Sequence, residues 1–324
     1  MANSPATRFD LTTLGEIMLR YSVPAGQRLE EMQQLEAHPG GAEGNVCSAL
    51  AGLGRRCAWV GGLPDNPLGK MIVRRLRAAG IDTAAVVLAR EARLGTYYVE
   101  FATPPRPIQV IYDRANSAAA NMTPAEINWA YLLDARIIHL TGITPALSES
   151  CRQVVREVVE RAKMAQVPIS FDVNYRSKLW SEAEAAETLR PLIQGIELFI
   201  CGRSDAQSLF GFKGEDRQVL DALQSLTQAR RVVLTLGDAG AIALDEGRFL
   251  QQSAIPAQVI DRLGAGDAFA SGLLDGWLDG SLAEGLRRGA ALAALALAQH
   301  GDMLVVSRAE MNAVLASAGG GIIR

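Results

Sequence analysis

From about residue 120 onward, short apolar runs rich in β-branched residues alternate with longer segments whose apolar residues recur at helical spacing. The runs predict four buried strands, at Ala135–Leu140, Val167–Val173, Leu198–Cys201 and Val232–Leu236. The segments between them predict four amphipathic helices, at Ser148–Ala165, Glu182–Gln194, Asp205–Phe210 and Arg217–Gln228. Such alternation is typical of a mostly parallel sheet flanked by helices on both faces. We therefore expect an α/β fold with ligands at the carboxyl ends of its strands.

Two segments break this pattern and predict a second, smaller sheet. Glu16–His38 and Leu94–Ala118 are rich in Tyr, Val, Pro and Gln and lack helical spacing. We expect each segment to form strands and the two to join into a small β-sheet lid over the site. A surface ribbon or a dimerisation element is the alternative, and a lid can serve as both. The predicted domains are an α/β domain at 1–15, 39–93 and 119–324, and a lid at 16–38 and 94–118.

Composition narrows the class of protein. The 324 residues, 49% of them hydrophobic, suffice for a large core with an appendage. A net charge of −3 argues against nucleic acid or an anionic membrane as the main partner. The four cysteines are scattered without metal-type spacing, and no secretory or membrane segment is evident, so we expect a cytoplasmic protein with reduced thiols. The apolar lid strands favour a homodimer or larger homo-oligomer.

The most informative segment places three small residues, Gly264, Ala265 and Gly266, directly before Asp267 at the predicted start of a helix. Bare backbone at a helix start offers N–H donors to an anion, reinforced by the helix dipole. A carboxylate in the first turn would lie beside that anion and could accept a proton from an attacking hydroxyl. Phosphoryl transfer needs both parts. An ordinary turn in which Asp267 only caps the helix is the alternative.

Two further glycine-rich turns are candidates for ligand binding. Gly40 and Gly41 precede a helix with Asn45 in its first turn, which suits a polyhydroxylated ligand, although a simple loop and cap would look alike. The glycines of Leu236–Gly240 would let the backbone approach a phosphate or an adenine ribose, with a hairpin turn as the alternative. The predicted nucleotide contacts are Thr235, Gly237, Asp238, Gly240, Gly264 and Gly266.

Aromatic and cationic residues of the predicted lid suggest an acidic ligand. Alternation along a strand places Tyr112 and Arg114 on one face, and Tyr97 belongs to the same segment. Arg176 follows a predicted buried strand, and its guanidinium matches a carboxylate or a phosphate. A structural tyrosine stripe and an ordinary surface arginine are the alternatives.

Together these segments resemble the ribokinase (PfkB) family of sugar kinases along nearly the whole chain. Gly40–Gly61 is similar to the first signature of that family, and Asp261–Phe269 is similar to the second. The resemblance implies a ribokinase-like fold, with a large α/β domain and a small β lid. It also implies ATP-dependent phosphorylation of a hydroxymethyl group, with ATP and Mg²⁺ as cofactors.

Within the family, Leu140–Ser148 and Asp172–Trp180 are similar to the kinases of 2-keto-3-deoxygluconate, a sugar acid. The resemblance implies phosphorylation of its C6 hydroxyl, with Asp267 as general base and the backbone of residues 264–266 holding the developing negative charge. The implied substrate contacts are Gly40, Gly41, Asn45, Tyr97, Tyr112, Arg114, Ile143, Arg176 and Asp302. A fructokinase or ribokinase type, another keto-deoxy sugar kinase, and a non-catalytic sugar or nucleotide sensor are the alternatives.

Three places depart from the family pattern. Gly202–Asp205 stands where Asn-x-x-Glu is common, which leaves Asp205 as a candidate ligand of Mg²⁺ through water. Arg262 and Leu263 replace threonines that are common in ribokinases, so activation by K⁺ is left open. Ala290 stands where many relatives have an asparagine near the adenine, so nucleotide contacts are expected to differ there.

Overall fold

The computed structural model describes residues 7–101 and 106–318, and this part of the chain contains fifteen strands and eleven α-helices. The strands are β1 (Phe9–Leu14), β2 (Met18–Ser22), β3 (Glu36–Gly40), β4 (Cys57–Val60), β5 (Gly62–Pro64), β6 (Ile81–Asp82), β7 (Val87–Ala89), β8 (Thr96–Glu100), β9 (Gln109–Asp113), β10 (Ala135–Thr141), β11 (Ile169–Asp172), β12 (Leu198–Gly202), β13 (Arg231–Thr235), β14 (Ala241–Asp245) and β15 (Arg248–Gln252). The helices are α1 (Ala42–Gly52), α2 (Pro67–Ala78), α3 (Trp129–Leu133), α4 (Ile143–Ala146), α5 (Glu149–Met164), α6 (Glu182–Leu192), α7 (Arg203–Phe210), α8 (Asp216–Thr227), α9 (Ala265–Leu278), α10 (Leu282–Leu297) and α11 (Arg308–Ala318).

The main sheet has nine strands in the spatial order β15-β14-β13-β12-β11-β10-β1-β4-β6. The neighbouring strands β13-β12-β11-β10-β1-β4-β6 pair in parallel, and β14 and β15 add an antiparallel edge. Helices α5 to α8 pack on one face and α1, α2 and α9 on the other, each against a separate cluster of buried apolar side chains. Because the central strands are buried on both faces, they are rich in apolar residues. The predicted α/β class is confirmed.

The small sheet has the order β3-β2-β8-β9. Within it, β2 pairs with β3 and β8 with β9, both antiparallel, whereas β2 and β8 are parallel and join the two pairs. β3 ends at Gly40, past the predicted boundary at His38. Residues 102–105 of the predicted lid, and residues 1–6 and 319–324 of the predicted α/β domain, lie outside the described residues.

Helix α9 is held against its neighbours by close backbone approach. A Cβ atom on Gly276 would lie 2.1 Å from the backbone nitrogen of Gly285 in α10, so the two helices touch where neither has a side chain. Gly264, which precedes α9, has a φ of +83° and no room for a Cβ, because the carbonyl oxygen of Asp302 would lie 2.3 Å away. These contacts fix where α9 begins. None of the described helices has the length and apolar character that crossing a bilayer requires.

A buried ion network anchors the other half of α9. Asp275 has no exposed surface, and it accepts hydrogen bonds from three arginines that lie outside the helix. Its carboxylate lies 2.7 Å from Arg55, 2.6 Å from Arg288 and 2.7 Å from Arg308. Arg55 also lies 2.7 Å from Asp279. The network joins α9 to α10, to α11 and to the chain that follows α1.

Candidate active site

Asp267 lies in the first turn of α9 and is 8% exposed. Its Oδ2 accepts a hydrogen bond from Nδ2 of Asn45 at 2.7 Å, and its Oδ1 accepts one from Nδ2 of Asn174 at 3.4 Å. The helix cap is Gly264, so the carboxylate is engaged by side-chain amides rather than by capping. Burial raises the pKa of Asp267, and the amide of Asn45 opposes that rise by stabilising the ionised form.

Asn174 reaches Asp267 through an unusual local conformation. Its φ is +40°, and its backbone N–H donates to Oδ1 of Asp172 at 3.1 Å, which is the arrangement of an Asx turn. Asn174 was not among the predicted site residues, although it lies in the segment Asp172–Trp180. The Asp-x-Asn spacing after a buried strand was the available signal.

Two neighbouring carboxylates act on Asp172 in this region. The pKa of Asp172 is raised from 3.8 to about 7 by burial and by the charges of Asp267 and Asp205, while Arg176 opposes the rise. Burial also raises the pKa of Asp205, whose Oδ2 accepts the backbone N–H of Tyr175 at 3.4 Å. Such uncompensated acids suit a divalent cation, and carboxylate oxygens are its preferred ligands. Among residues 7–101 and 106–318, however, no three His, Cys, Asp or Glu side chains are close enough to hold a metal ion together.

Cavity I, of about 530 Å³, lies between the small sheet and the loop that follows β11. Predicted residues Tyr112, Arg114 and Arg176 line it together, and Lys178, which was not predicted, lines it as well. The ring of Tyr112 stacks on that of Tyr97, with centroids 5.6 Å apart. The structure therefore brings three cations and the ring of Tyr112 to one cavity, whereas Tyr97 stacks on Tyr112 without lining the cavity.

The cations of cavity I differ in their partners. Arg114 lies 2.5 Å from the buried carboxylate of Glu16 and is neutralised by it. Arg176 donates to the carbonyl oxygen of Tyr175 at 3.0 Å, and Lys178 donates to that of Val110 at 2.6 Å. Carbonyl oxygens do not neutralise a positive charge, so Arg176 and Lys178 are the cations better suited to attract an anionic ligand.

Ala146 of α4 and the next residue, Leu147, line this cavity, whereas the predicted Ile143 does not. Ile143 is 8% exposed, and its N–H donates to the hydroxyl of Thr141 at 3.1 Å. That hydroxyl in turn donates to the buried carboxylate of Glu43 at 2.7 Å. Ile143 therefore supports the site through its hydrogen bond to Thr141.

Gly40, Tyr97 and Asp302 form a second group of predicted residues. The hydroxyl of Tyr97 donates to Oδ2 of Asp302 at 2.6 Å, and Oδ1 of Asp302 lies 2.5 Å from Nη1 of Arg20. A Cβ on Gly40 would lie 2.1 Å from the hydroxyl oxygen of Tyr97, so a larger residue would break this contact. Gly41 stands beside the group as the N-cap of α1. Both oxygens of Asp302 thus already accept hydrogen bonds from the small sheet.

Cavity II, of about 590 Å³, lies on the other side of the start of α9. It is lined by predicted residues of the β13–β14 link and of α9, which are Thr235, Gly237, Asp238, Gly240 and Gly266. The link joins two antiparallel strands, so the alternative interpretation as a hairpin turn is confirmed, and the same glycines line the cavity. Its apolar wall includes Phe269 and Ala290, and a Cβ on Gly266 would meet no atom within 4 Å.

The α9 turn, defined as residues 262–266, therefore separates the two cavities. Gly266 lines cavity II, and the next residue, Asp267, is close enough to Arg176 of cavity I for that cation to oppose the rise in its pKa. A base with an open stretch of backbone N–H donors beside it can accept a proton while the donors hold an anion.

Comparisons with known proteins agree with this arrangement. The family model for pfkB family carbohydrate kinases matches residues 9–308. A 2-dehydro-3-deoxygalactonokinase of Haloferax volcanii is 37% identical over 316 residues, which cover 97% of this chain and 99% of the relative. A 2-dehydro-3-deoxygluconokinase of Bacillus subtilis is 32% identical over 301 residues, which cover 91% of this chain and 92% of the relative.

The crystal structure of the 2-dehydro-3-deoxygluconokinase of Thermotoga maritima has a TM-score of 0.89 to this chain. It is 30% identical, and the alignment covers 94% of this chain and 98% of that one. The ribokinase-like fold and the kinase class expected from the sequence are confirmed. The chain belongs to the pfkB family of carbohydrate kinases.

Proposed function

We propose that this kinase transfers the γ-phosphoryl group of ATP to the C6 hydroxyl of 2-keto-3-deoxygluconate, for which 2-dehydro-3-deoxygluconate is another name. The observation that carries the proposal is the position of Asp267 at the α9 turn. The residue is 8% exposed and follows Gly266, which lines cavity II. ATP would occupy cavity II, and the sugar acid would occupy cavity I.

Asp267 acts as the general base. As the C6 oxygen attacks the γ-phosphorus, its proton passes to the Asp267 carboxylate, and the bond between that phosphorus and the leaving oxygen of ADP breaks. The backbone N–H groups of Ala265 and Gly266, with the dipole of α9, hold the negative charge that develops on the transferred group. Mg²⁺ bound with the nucleotide supplies further neutralisation of the phosphates. Asp172 and Asp205 have suitable oxygen atoms to hold it through water.

The substrate class follows from the cations of cavity I. Arg176 and Lys178 donate to carbonyl oxygens, so they can take the carboxylate of a sugar acid as their ionic partner. Tyr112 supplies a flat apolar wall for the carbon chain. The small sheet would act as a lid that closes cavity I against water.

A second candidate substrate is the C4 epimer, 2-dehydro-3-deoxygalactonate. The relative from Haloferax volcanii, 37% identical, is named for this substrate. Both epimers carry the same carboxylate and the same C6 hydroxyl, so the cations and the base described above serve either one. Measured rates on the two epimers must separate them.

We also propose that the enzyme works in the cytoplasm and associates as a homodimer or larger oligomer through the outer face of the small sheet. Ile111 on β9 supports this, because its side chain is apolar and the residue is 53% exposed. Light scattering of the purified protein would test the association. An Ile111→Lys variant that dissociates to monomers would support it, and a wild-type monomer would exclude it.

The proposed function is tested by coupled measurement of ADP release on four sugars: the two epimeric keto-deoxy acids, fructose and ribose. We expect kcat/KM for a keto-deoxy acid to exceed that for either neutral sugar at least a hundredfold. Phosphorus NMR of the product should place the phosphate on C6. An equal or higher value for a neutral sugar would favour the fructokinase or ribokinase type. Binding without any phosphorylated product would favour the sensor.

The base is tested separately with Asp267→Asn. General-base catalysis contributes about 10²- to 10⁴-fold, so kcat should fall by that order. The Kd for the sugar acid should change little, because asparagine is nearly isosteric. Turnover within tenfold of wild type would exclude Asp267 as the base.

A further inference from the structure

A buried arginine of the small sheet stands between two carboxylates of the main domain. Arg20, on β2, is 1% exposed. Its Nη1 lies 2.5 Å from Oδ1 of Asp302, and its Nη2 lies 2.7 Å from Oδ2 of Asp261. Its guanidinium carbon also lies 4.8 Å from the ring centroid of Phe101. Because an unpaired buried cation is strongly unfavourable, both acids must stay in place for Arg20 to remain buried.

The two carboxylates belong to the segments that form and support the α9 turn. Oδ1 of Asp261 accepts the N–H of Leu263 at 3.0 Å, and its Oδ2 accepts the N–H of Gly301 at 3.2 Å. The turn rests directly on the backbone of Asp302, since a Cβ on Gly264 would lie 2.3 Å from that carbonyl oxygen. The positions of these two acids therefore determine where the N–H groups of the turn lie.

The same arginine is linked to cavity I through the small sheet. Arg20 is paired with Tyr97 across the parallel strands β2 and β8. The Tyr97 hydroxyl donates to Asp302 at 2.6 Å, and its ring stacks on Tyr112, which lines cavity I. A continuous set of contacts thus runs from cavity I to the α9 turn.

We propose that Arg20 is a positioning residue that ties the α9 turn to the small sheet, so that the turn is placed for phosphoryl transfer only when the sheet is seated on the main domain. The effect on turnover rests on the proposed function. Arg20 touches neither cavity in this arrangement and acts through Asp261 and Asp302.

Two other roles give different results when Arg20 is changed. If Arg20 only stabilised the fold, its loss would lower stability and leave the turnover of the folded protein intact. If it served mainly to bind the sugar through Asp302, its loss would raise KM and leave kcat nearly unchanged. A positioning role lowers kcat while both substrates still bind.

The test uses Arg20→Lys, because a single ammonium group cannot match the two-pronged geometry of a guanidinium between two acids. Arg55→Lys is the matched control. Arg55 also bridges two carboxylates, at 2.7 Å from Asp275 and 2.7 Å from Asp279, but at the far end of α9. Each variant is measured for kcat, for KM of the sugar acid, for Kd of ATP and for amide hydrogen exchange without ligands.

We expect Arg20→Lys to lower kcat at least tenfold, with KM and Kd within threefold of wild type. Amide exchange of residues 261–268 should be at least tenfold faster than in wild type. Arg55→Lys should change neither kcat nor that exchange by more than twofold. Wild-type kcat and exchange in folded Arg20→Lys would overturn the proposal, and so would a raised KM with unchanged kcat.

A second variant and the exchange measurement cover the cases in which Arg20→Lys does not fold or the wild type is inactive. If Arg20→Lys does not fold, Asp261→Asn removes one partner of the same arginine and should give the same loss of kcat and the same faster exchange. Wild-type behaviour of that variant would overturn the proposal. If the wild type phosphorylates no sugar, the proposed function fails, but the exchange comparison still tests whether Arg20 holds the turn.

Discussion

Replacement of Asp172 by asparagine should stabilise the protein, and more strongly as the pH rises. Asp172 stands at the end of β11, where burial and the charges of Asp267 and Asp205 raise its pKa from 3.8 to about 7. Arg176 opposes the rise without cancelling it. Ionised Asp172 is therefore unfavourable in the folded protein without ligands, and asparagine removes that charge while its side-chain oxygen can still accept the N–H of Asn174.

The sign and the size follow from the two pKa values of Asp172. A carboxyl group whose pKa is raised in the folded state binds its proton more tightly there than in the unfolded chain. Its contribution to the stability of the fold is therefore fully present below the pKa of the unfolded chain and is lost as the pH rises through about 7. A pKa difference of one unit corresponds to about 1.36 kcal/mol, so the shift can change the free energy of unfolding by at most about 4 kcal/mol. Because Asp172 is partly exposed and its neighbours can relax, we expect about 1–2 kcal/mol at pH 8 and about a third of that at pH 5.

The assay is urea unfolding from pH 5 to pH 8 in the presence of EDTA, with Asp279→Asn as the control. Burial alone would raise the pKa of Asp279, but hydrogen bonds from Arg55 and Arg288 lower it to about 2. Its contribution is present above the unfolded value and is lost only as the pH falls through about 2. Since the side chain is 42% exposed, its replacement should cost about 1 kcal/mol or less throughout this range. A pH-independent effect of Asp172→Asn, or a loss of stability at pH 8, would refute the reasoning.

Three further predictions concern binding, catalysis and folding. Arg176→Met should raise KM for the keto-deoxy acid at least thirtyfold, because a desolvated carboxylate that loses its partner costs roughly 2–5 kcal/mol. KM for fructose should change less than threefold, and equal changes would contradict a carboxylate contact. Asn45→Ala removes the 2.7 Å hydrogen bond to Asp267, so the pKa of that base should rise and the acid limb of kcat should move up by about one pH unit. An unmoved limb would mean that Asp267 is not the titrating base. Asp275→Asn should lower the free energy of unfolding by about 3–5 kcal/mol in urea titrations, because three arginines lose a buried counter-charge, and a loss below about 1 kcal/mol would contradict this.

Local features of the chain could be predicted from its sequence. The strand predicted at Ala135–Leu140 is observed as Ala135–Thr141, because a short run dominated by apolar residues marks a strand buried on both faces. The helix that carries Asp267 begins directly after Gly264, since a glycine with positive φ is a strong boundary. Helix α1 starts at Ala42, directly after the predicted glycines, with Gly41 as its N-cap.

The contacts that join distant segments could not be predicted in this way. Arg20 and Asp302 are 282 residues apart, and nothing in the alternation of β2 shows that its arginine faces two acids. Lys178 was not among the predicted site residues, yet it lines cavity I because β9 packs beside its loop. Hydrophobic periodicity reports burial along one element, whereas partner identity depends on how elements from the two sheets meet.

The site has acidic side chains on one side and cationic side chains on the other, and each set lacks part of its counter-charge. On the side of β11 and α9, burial raises the pKa values of Asp172, Asp205 and Asp267, and the charges of the other two raise that of Asp172 further. On the side of cavity I, Arg176 and Lys178 donate to carbonyl oxygens. A divalent cation bound with ATP would relieve the acids, and the carboxylate of the sugar would complete the cations. Arg176 opposes the rise in the pKa of Asp267, so its charge acts on both sides. A carboxylate bound to Arg176 would weaken that opposition and leave the pKa of Asp267 higher.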